Sequence, residues 1–172
     1  LKGNINWMKV HEQEMFSSKY ENMENLKPVI PDGNSDSASL DNVFELLTMS
    51  GHSAPLTKLM LIPDAWSKKS KILPSNQLKL FNFLNSTMEP WDGPAAIAGT
   101  DNEWVIVASD RNGLRPLRYT VTRDKLLFAG SETGMVDLNE KKIVKKGRLG
   151  PGEILGVRIE KGKVFTNTQI KD

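Results

Sequence analysis

The sequence predicts an α+β fold with mostly antiparallel strands, and two observations carry that reading. Apolar residues at helical spacing are confined to residues 1–88, which otherwise read as loop. Residues 89–172 carry short apolar and β-branched runs separated by turn signals, with no helical pattern among them. Helices first and strands afterwards argue for α+β and against alternating α/β order. At 172 residues, 38% of them hydrophobic and 26% charged, the chain is long enough for one domain with its own core.

Taken in order, Trp7 to Val10 opens a short helix that runs towards Lys19. Residues 27–34, rich in Pro, Gly and Asn, form a loop. Ser35, Asp36 and Ser37 then supply N-cap side chains. Leu40, Val43, Phe44, Leu46 and Leu47 follow at helical spacing, and Gly51 sits where a C-terminal glycine belongs, so residues 37–50 read as a helix. The run Leu59 to Ile62, closed by Pro63, fits a short helix or a buried strand equally well. Residues 75–88 read as a second long helix, with Ser75 as the cap and Leu78, Phe81 and Leu84 as the stripe.

The β region is expected to run as a meander. Ala95 to Ala98 and Trp104 to Ala108 are joined through Thr100-Asp101-Asn102. The tight-turn dipeptide Asn112-Gly113 precedes Leu117 to Thr122, and Arg123-Asp124 turns the chain into Lys125 to Ala129. Glu153 to Ile159 and Lys163 to Thr166 close as a hairpin around Lys161-Gly162. Between them, Lys141 to Lys146 reads as a solvated strand or loop face, and Gly147 to Gly152 as a turn.

Composition excludes several classes. A net charge of +2 is too small to argue for nucleic acid or a membrane surface, and no apolar run has the length of a membrane span. No signal peptide is visible, because the chain is polar from Leu1-Lys2-Gly3-Asn4 onward. Zero cysteine excludes disulfides and thiolate metal sites and fits a cytoplasmic protein. The chain opens on leucine and soon reaches Gly3, Asn4, Asn6 and Trp7, which reads as the middle of a domain and suggests a fragment.

Few residues point to chemistry. His11 and His52 have no ligand at metal-binding spacing, so no metal is expected. No glycine-rich phosphate loop and no nucleophile elbow is present. Asp36 at a loop-to-helix junction can cap the helix or receive an ammonium group, and on physical grounds the cap is favoured. Arg111 and Arg115 flank the Asn112-Gly113 turn. They can bind an anion, or pair with Asp110 or Glu132 to fix the loop, and the pairing is favoured. The prolines of Glu89-Pro90-Trp91-Asp92-Gly93-Pro94 suggest a rigid corner.

Several stretches, in this order, resemble the glutamine amidotransferase domain of the glutamate synthase large subunit. They are Gly3 to Met8, Ser35 to Ala38 with Leu40-Asp41-Asn42, Met60 to Trp66, Met88 to Ala96, Asp110 to Tyr119, Ser131 to Gly134, and Lys146 to Gly152. The resemblance covers nearly the whole chain, although Lys2 stands where the family more often has arginine. It implies a four-layer α-β-β-α sandwich of the Ntn-hydrolase type, with 1–172 as a single partial domain, the C-terminal portion of the amidotransferase domain. The family's nucleophile is an N-terminal cysteine thiol whose own α-amino group serves as base. It attacks the side-chain amide of glutamine, backbone and Asn donors hold the oxyanion, and the released ammonia is used for reductive amination of 2-oxoglutarate.

Carried over residue by residue, the resemblance assigns Asp36 to the α-ammonium of L-glutamine, which reverses the preference for a cap alone. It assigns no catalytic residue to this chain. The nucleophile has no counterpart, and the family's His-Asn-Gly oxyanion motif and carboxylate-binding arginine are expected upstream of Leu1. Asp110 to Arg118 reads as scaffold around the site. FMN and an iron–sulfur cluster are implied in other domains of the large subunit, which would be this chain's partners. The chain alone is therefore expected to be inactive. A non-catalytic scaffold or binding module of the same fold is the alternative, and an Ntn-type hydrolase using serine or threonine is weaker still. Exposed sheet edges predict a homodimer.

Overall fold

A computed structural model describes residues 1–3, 5–65, 74–88 and 90–172, and of His11 the backbone only. The sequence readings that involve Asn4, Trp66 and Glu89, and the His11 side chain, lie outside the described residues.

Helix α1 (Ile5–His11) is shorter than expected and passes into a 3-10 turn, Glu12–Glu14. Its apolar stripe fails after Met8, which is buried. One turn on, the Glu12 carboxylate accepts the backbone N–H of Val29 instead of continuing the stripe. Helix α2 (Asp36–Met49) is capped by Ser35, whose Oγ accepts from the Ala38 N–H at 3.2 Å. It buries Ser39, Leu40 and Val43 and ends before Gly51, whose φ of 107° is open to glycine at little cost. The ambiguous run around Leu59 is helical, as the end of α3 (Ala54–Leu61). Ser53 caps α3, and Pro55 sits in its first turn.

Helix α4 (Ser75–Thr87) departs from the expected cap and stripe. Pro74 occupies the N-cap position, with no side-chain cap bond. Gln77, Phe81 and Leu84 are buried, whereas Leu78 is exposed. Phe81 and Leu84 keep the expected stripe, but its first place goes to Gln77, whose Nε2 donates to Asp172 Oδ1 at 2.9 Å, which satisfies a polar group on the buried side.

Seven strands follow: β1 (Ala96–Thr100), β2 (Trp104–Ser109), β3 (Leu117–Thr122), β4 (Leu127–Gly130), β5 (Ile143–Leu149), β6 (Ile154–Arg158) and β7 (Lys163–Phe165), then helix α5 (Asn167–Lys171). All pairings are antiparallel, but the strands do not form one meander. They make a four-stranded sheet, β1-β2-β6-β7, and a three-stranded sheet, β4-β3-β5. The Asn112-Gly113 turn therefore does not close a hairpin. It hands the chain from one sheet to the other. The stretch expected as a turn from Gly147 is half strand, since β5 runs to Leu149. Gly147 is required there because a Cβ would lie 2.4 Å from the Tyr119 ring.

The two-residue period of each strand sorts its side chains into layers. Ile106, Ala108 and Ile154 face the helices, against Ala54, Phe44 and Ile170. Val107, Leu155 and Val164 face the other way, onto Leu117, Tyr119, Leu127 and Leu149 of the three-stranded sheet. Helices, four-stranded sheet and three-stranded sheet thus stack in that order, a mixed fold with antiparallel sheets as expected. The outer face of the three-stranded sheet opens on a recess of about 970 Å³, lined by no residue of α1–α5. A further cluster, Met8, Ile30, Val43, Leu61, Ile62 and Trp91 among it, joins the first three helices to the loop before β1.

Candidate functional site

The start of α2 and the start of β1 face each other across an open cavity of about 640 Å³. Ser35, Asp36 and Ser37 line one wall, residues 94–98 another, and Arg115 the rim. The two roles that the sequence left competing at the helix start are divided between neighbours. Ser35 does the capping, and Ser37 Oγ lies 3.1 Å from Ser35 Oγ. Asp36, in the first turn, is thereby left facing the cavity, half-buried, where the helix N-terminus favours negative charge.

Asp36 is held from behind. Its Oδ1 accepts the Gly3 N–H at 3.1 Å, and its backbone carbonyl accepts from Trp91 Nε1 at 3.1 Å. Gly3 lies flat against the Trp91 indole: a Cβ on residue 3 would sit 1.9 Å from Nε1, so no other residue fits. Trp91 is fully buried, and its backbone N–H donates to the Leu61 carbonyl at 2.8 Å. On either side, Lys2 and Asp92 exchange backbone hydrogen bonds of 2.6 and 2.7 Å, which ties the first residues of the chain to the Trp91 loop.

The far wall rests on Asp110, which is fully buried. Its Oδ1 accepts from the N–H groups of Asn112 (3.1 Å) and Leu114 (2.9 Å), and its Oδ2 from Ala95 (3.2 Å) and Arg115 (3.0 Å). Burial pushes the carboxyl pKa up, but the four backbone donors outweigh it and hold the group below the usual aspartate value. Ala95 and Arg115 thus enter the cavity wall from a common anchor. The arginines do not pair as expected. Arg111 Nη1 lies 3.6 Å from Asp92 Oδ2, and Arg115 meets Asp110 through its backbone N–H.

Behind this wall lies a second charged group. Lys58 is buried in α3, and its Nζ donates to the Gly152 carbonyl at 2.7 Å, while the Gly152 N–H donates to the Asp110 carbonyl at 2.8 Å. Desolvation dominates and, against the pull of Asp64, lowers the Lys58 pKa to about 7. Asp64 pairs with Lys171 of α5 at 2.7 Å.

Chemically, the cavity offers a carboxylate in its wall and a guanidinium at its rim, which suits a small zwitterion. It offers no thiol, since the chain has no cysteine. Among the described residues no three His, Cys, Asp or Glu side chains gather as a metal site. An iron–sulfur cluster, which needs thiolate ligands, does not fit here. His52 is turned to the Leu47 carbonyl, with Nδ1 at 3.2 Å. No described helix is long and apolar enough to cross a membrane. Sequence reasoning found Asp36, which lies in the cavity wall, but missed Gly3 and Trp91 behind it and Lys58 behind the Asp110 wall. The available signal was a tryptophan between two prolines, a bulky apolar residue in a loop too rigid to leave it in solvent.

Comparison with known proteins matches the whole chain, residues 1–172, to the family model described as class-II glutamine amidotransferases. The chain is 51% identical over 173 residues to the glutamate synthase [NADPH] large chain of Azospirillum brasilense, covering 100% of this chain and 11% of that protein. It is 40% identical to ferredoxin-dependent glutamate synthase 2 of Synechocystis, covering 99% of this chain and 11% of that protein. It is also 40% identical to the glutamate synthase [NADH] of Schizosaccharomyces pombe, covering 99% and 8%. The chain thus spans about a tenth of the length of these curated relatives.

Proposed function

Because this chain belongs to the class-II glutamine amidotransferase family, we propose that it is the C-terminal portion of the glutaminase domain of a glutamate synthase, and that Asp36 receives the α-ammonium of glutamine. The parent enzyme hydrolyses glutamine to glutamate and ammonia and uses the ammonia to aminate 2-oxoglutarate reductively. FMN and an iron–sulfur cluster serve that second half-reaction in other domains, and the electron donor is set there too.

The observation that carries this reading is the position of Asp36. It sits at the start of α2 with capping left to Ser35, in the wall of an open cavity with room for an amino acid. One of its acceptor sites takes the Gly3 N–H. A carboxylate has about four, so capacity remains for an ammonium. A charge-assisted bond of this kind contributes about 1.5–3 kcal/mol to holding substrate. The role of this chain is to bind and orient. The thiol nucleophile and the oxyanion donors are supplied from outside these 172 residues, so the chain alone releases no ammonia from glutamine.

The test is Asp36→Asn in the full-length enzyme. The KM for glutamine is expected to rise by one to two orders of magnitude, about 1.4 kcal/mol for each tenfold step, while amination driven by added ammonium salt is retained. An unchanged glutamine KM would overturn the assignment. Ammonia release by the purified 172-residue chain, above a heat-killed control, would overturn the division of labour. The isolated chain is also expected to associate through the open edge of β1, which sedimentation would detect.

A further inference from the structure

Resting on the assignment of Asp36 to the substrate ammonium, we propose that Trp91 is a positioning residue for glutamine: its indole N–H fixes the direction in which Asp36 presents its carboxylate to the cavity.

The argument begins with what is unusual about the contact. A buried tryptophan needs a partner for its indole N–H, and many backbone carbonyls lie near a helix-rich core. Trp91 Nε1 meets the carbonyl of Asp36 itself, at 3.1 Å, across a sequence separation of 55 residues. The same indole presses against Gly3, whose N–H donates to Asp36 Oδ1 at 3.1 Å. One ring therefore touches both ends of the Asp36 residue, the carbonyl directly and the carboxylate through Gly3.

Trp91 is itself immobile. It is fully buried, its backbone N–H is bound to Leu61, and the next residue is locked to Lys2 by two backbone hydrogen bonds. First-turn residues of a helix are otherwise prone to fray, since their N–H groups lack intrahelical partners. A fixed external donor at the first carbonyl of α2 removes that freedom on the side of the cavity. The expected result is an Asp36 already aligned before glutamine arrives, which spares the substrate the cost of ordering it.

A purely structural tryptophan would affect all substrates alike. A residue that aims Asp36 should affect only substrates that carry an α-ammonium. The discriminating pair is glutamine and glutaramate, the same amide and carboxylate without the α-amine. In the full-length enzyme, Trp91→Phe is expected to lower the ratio of kcat/KM for glutamine over glutaramate by about five- to tenfold, the size of one lost hydrogen bond. Most of the change should lie in the KM for glutamine. Replacing Trp91 with 3-benzothienylalanine, which keeps the shape of the indole and removes the N–H, should give the same fall. It serves as the test if the phenylalanine variant does not fold. In an Asp36→Asn background neither replacement should lower the ratio further.

An equal loss on both substrates, or an unchanged ratio in folded protein, would overturn the proposal. If Asp36→Asn alone leaves the ratio unchanged, the assignment of Asp36 fails and this inference with it. If Asp36→Asn collapses the ratio and the Trp91 variants do not, only the role of Trp91 falls.

Discussion

Asp110 and Lys58 are both sealed from water, and both lean on the same glycine, Gly152, yet they reach opposite electrostatic outcomes. Asp110 has four backbone N–H groups aimed at its two oxygens, and its pKa falls below the usual value in spite of burial. Lys58 has, among the described residues, the Gly152 carbonyl as its hydrogen-bond acceptor, and burial carries its pKa down to about 7. The difference lies in what a turn can supply. Consecutive residues of a tight turn point several N–H groups at one spot, so a carboxylate can be resolvated by backbone alone. An ammonium has three donors to satisfy and must find them in separate segments.

The comparison breaks most sharply at Asp110. Asp110→Asn keeps the shape but turns an amide NH2 towards backbone donors that had an acceptor. The loss is expected to be on the order of 4 kcal/mol, at about 1–3 kcal/mol for each stranded donor. It should be read as faster amide exchange at Asn112, Leu114 and Arg115. Protection equal to wild type would show that these donors find other partners.

Asp64→Asn probes the other centre, because it leaves Lys171, 5% exposed, without its counter-charge. About 3 kcal/mol of destabilisation is expected, with release of α5 seen as loss of protection at Ile170 and Asp172.

The third test is pH. The Lys58 pKa is lowered on folding from 10.5 to about 7. Between those values the unfolded chain holds a proton that the folded chain has released, so stability rises with pH across that window and the penalty is greatest at and below pH 7. Relative to Lys58→Met, wild type should gain with rising pH, by at most about 3 kcal/mol between pH 7 and 9.5, at 1.36 kcal/mol per unit. A flat difference would mean that Lys58 stays charged. Asp110 has a dependence of the same sign at lower pH: its contribution is present above the ordinary aspartate range and lost as pH falls through its lowered folded value.

The smallest effect is expected at the cap. Ser35→Ala should cost about 1 kcal/mol and loosen the first turn of α2, while leaving both buried charges untouched.

Much of this architecture was legible in the sequence. The cap-and-stripe pattern located α2 within a residue, and the alternating runs located six of the seven strands. Asp36 came only with the family resemblance, since a carboxylate beside two serines reads first as a cap. What stayed illegible depends on distant contacts. Leu78 and Gln77 exchange sides because of Asp172, ninety-five positions away in sequence. Arg111 selects Asp92 over the nearer Asp110 because backbone donors already occupy the Asp110 carboxylate. Lys58, in a short helix that could equally have been a strand, gives no local sign that it is buried.

The order of strands in the two sheets also bears on how the chain is made. β2 pairs with β6, but β3, β4 and β5 are synthesised between them and pair only with one another. The three-stranded sheet is thus a local excursion that can assemble from near neighbours. The sheet carrying the cavity wall must wait for residues 154–158 and for closure of the long loop that joins its halves. On a ribosome, the β1–β2 hairpin emerges early and stays unpaired on its inner edge until β6 appears. The part of the molecule that lines the Asp36 cavity therefore has an edge that stays open through the synthesis of three further strands, and there slow translation or a chaperone would have its greatest effect.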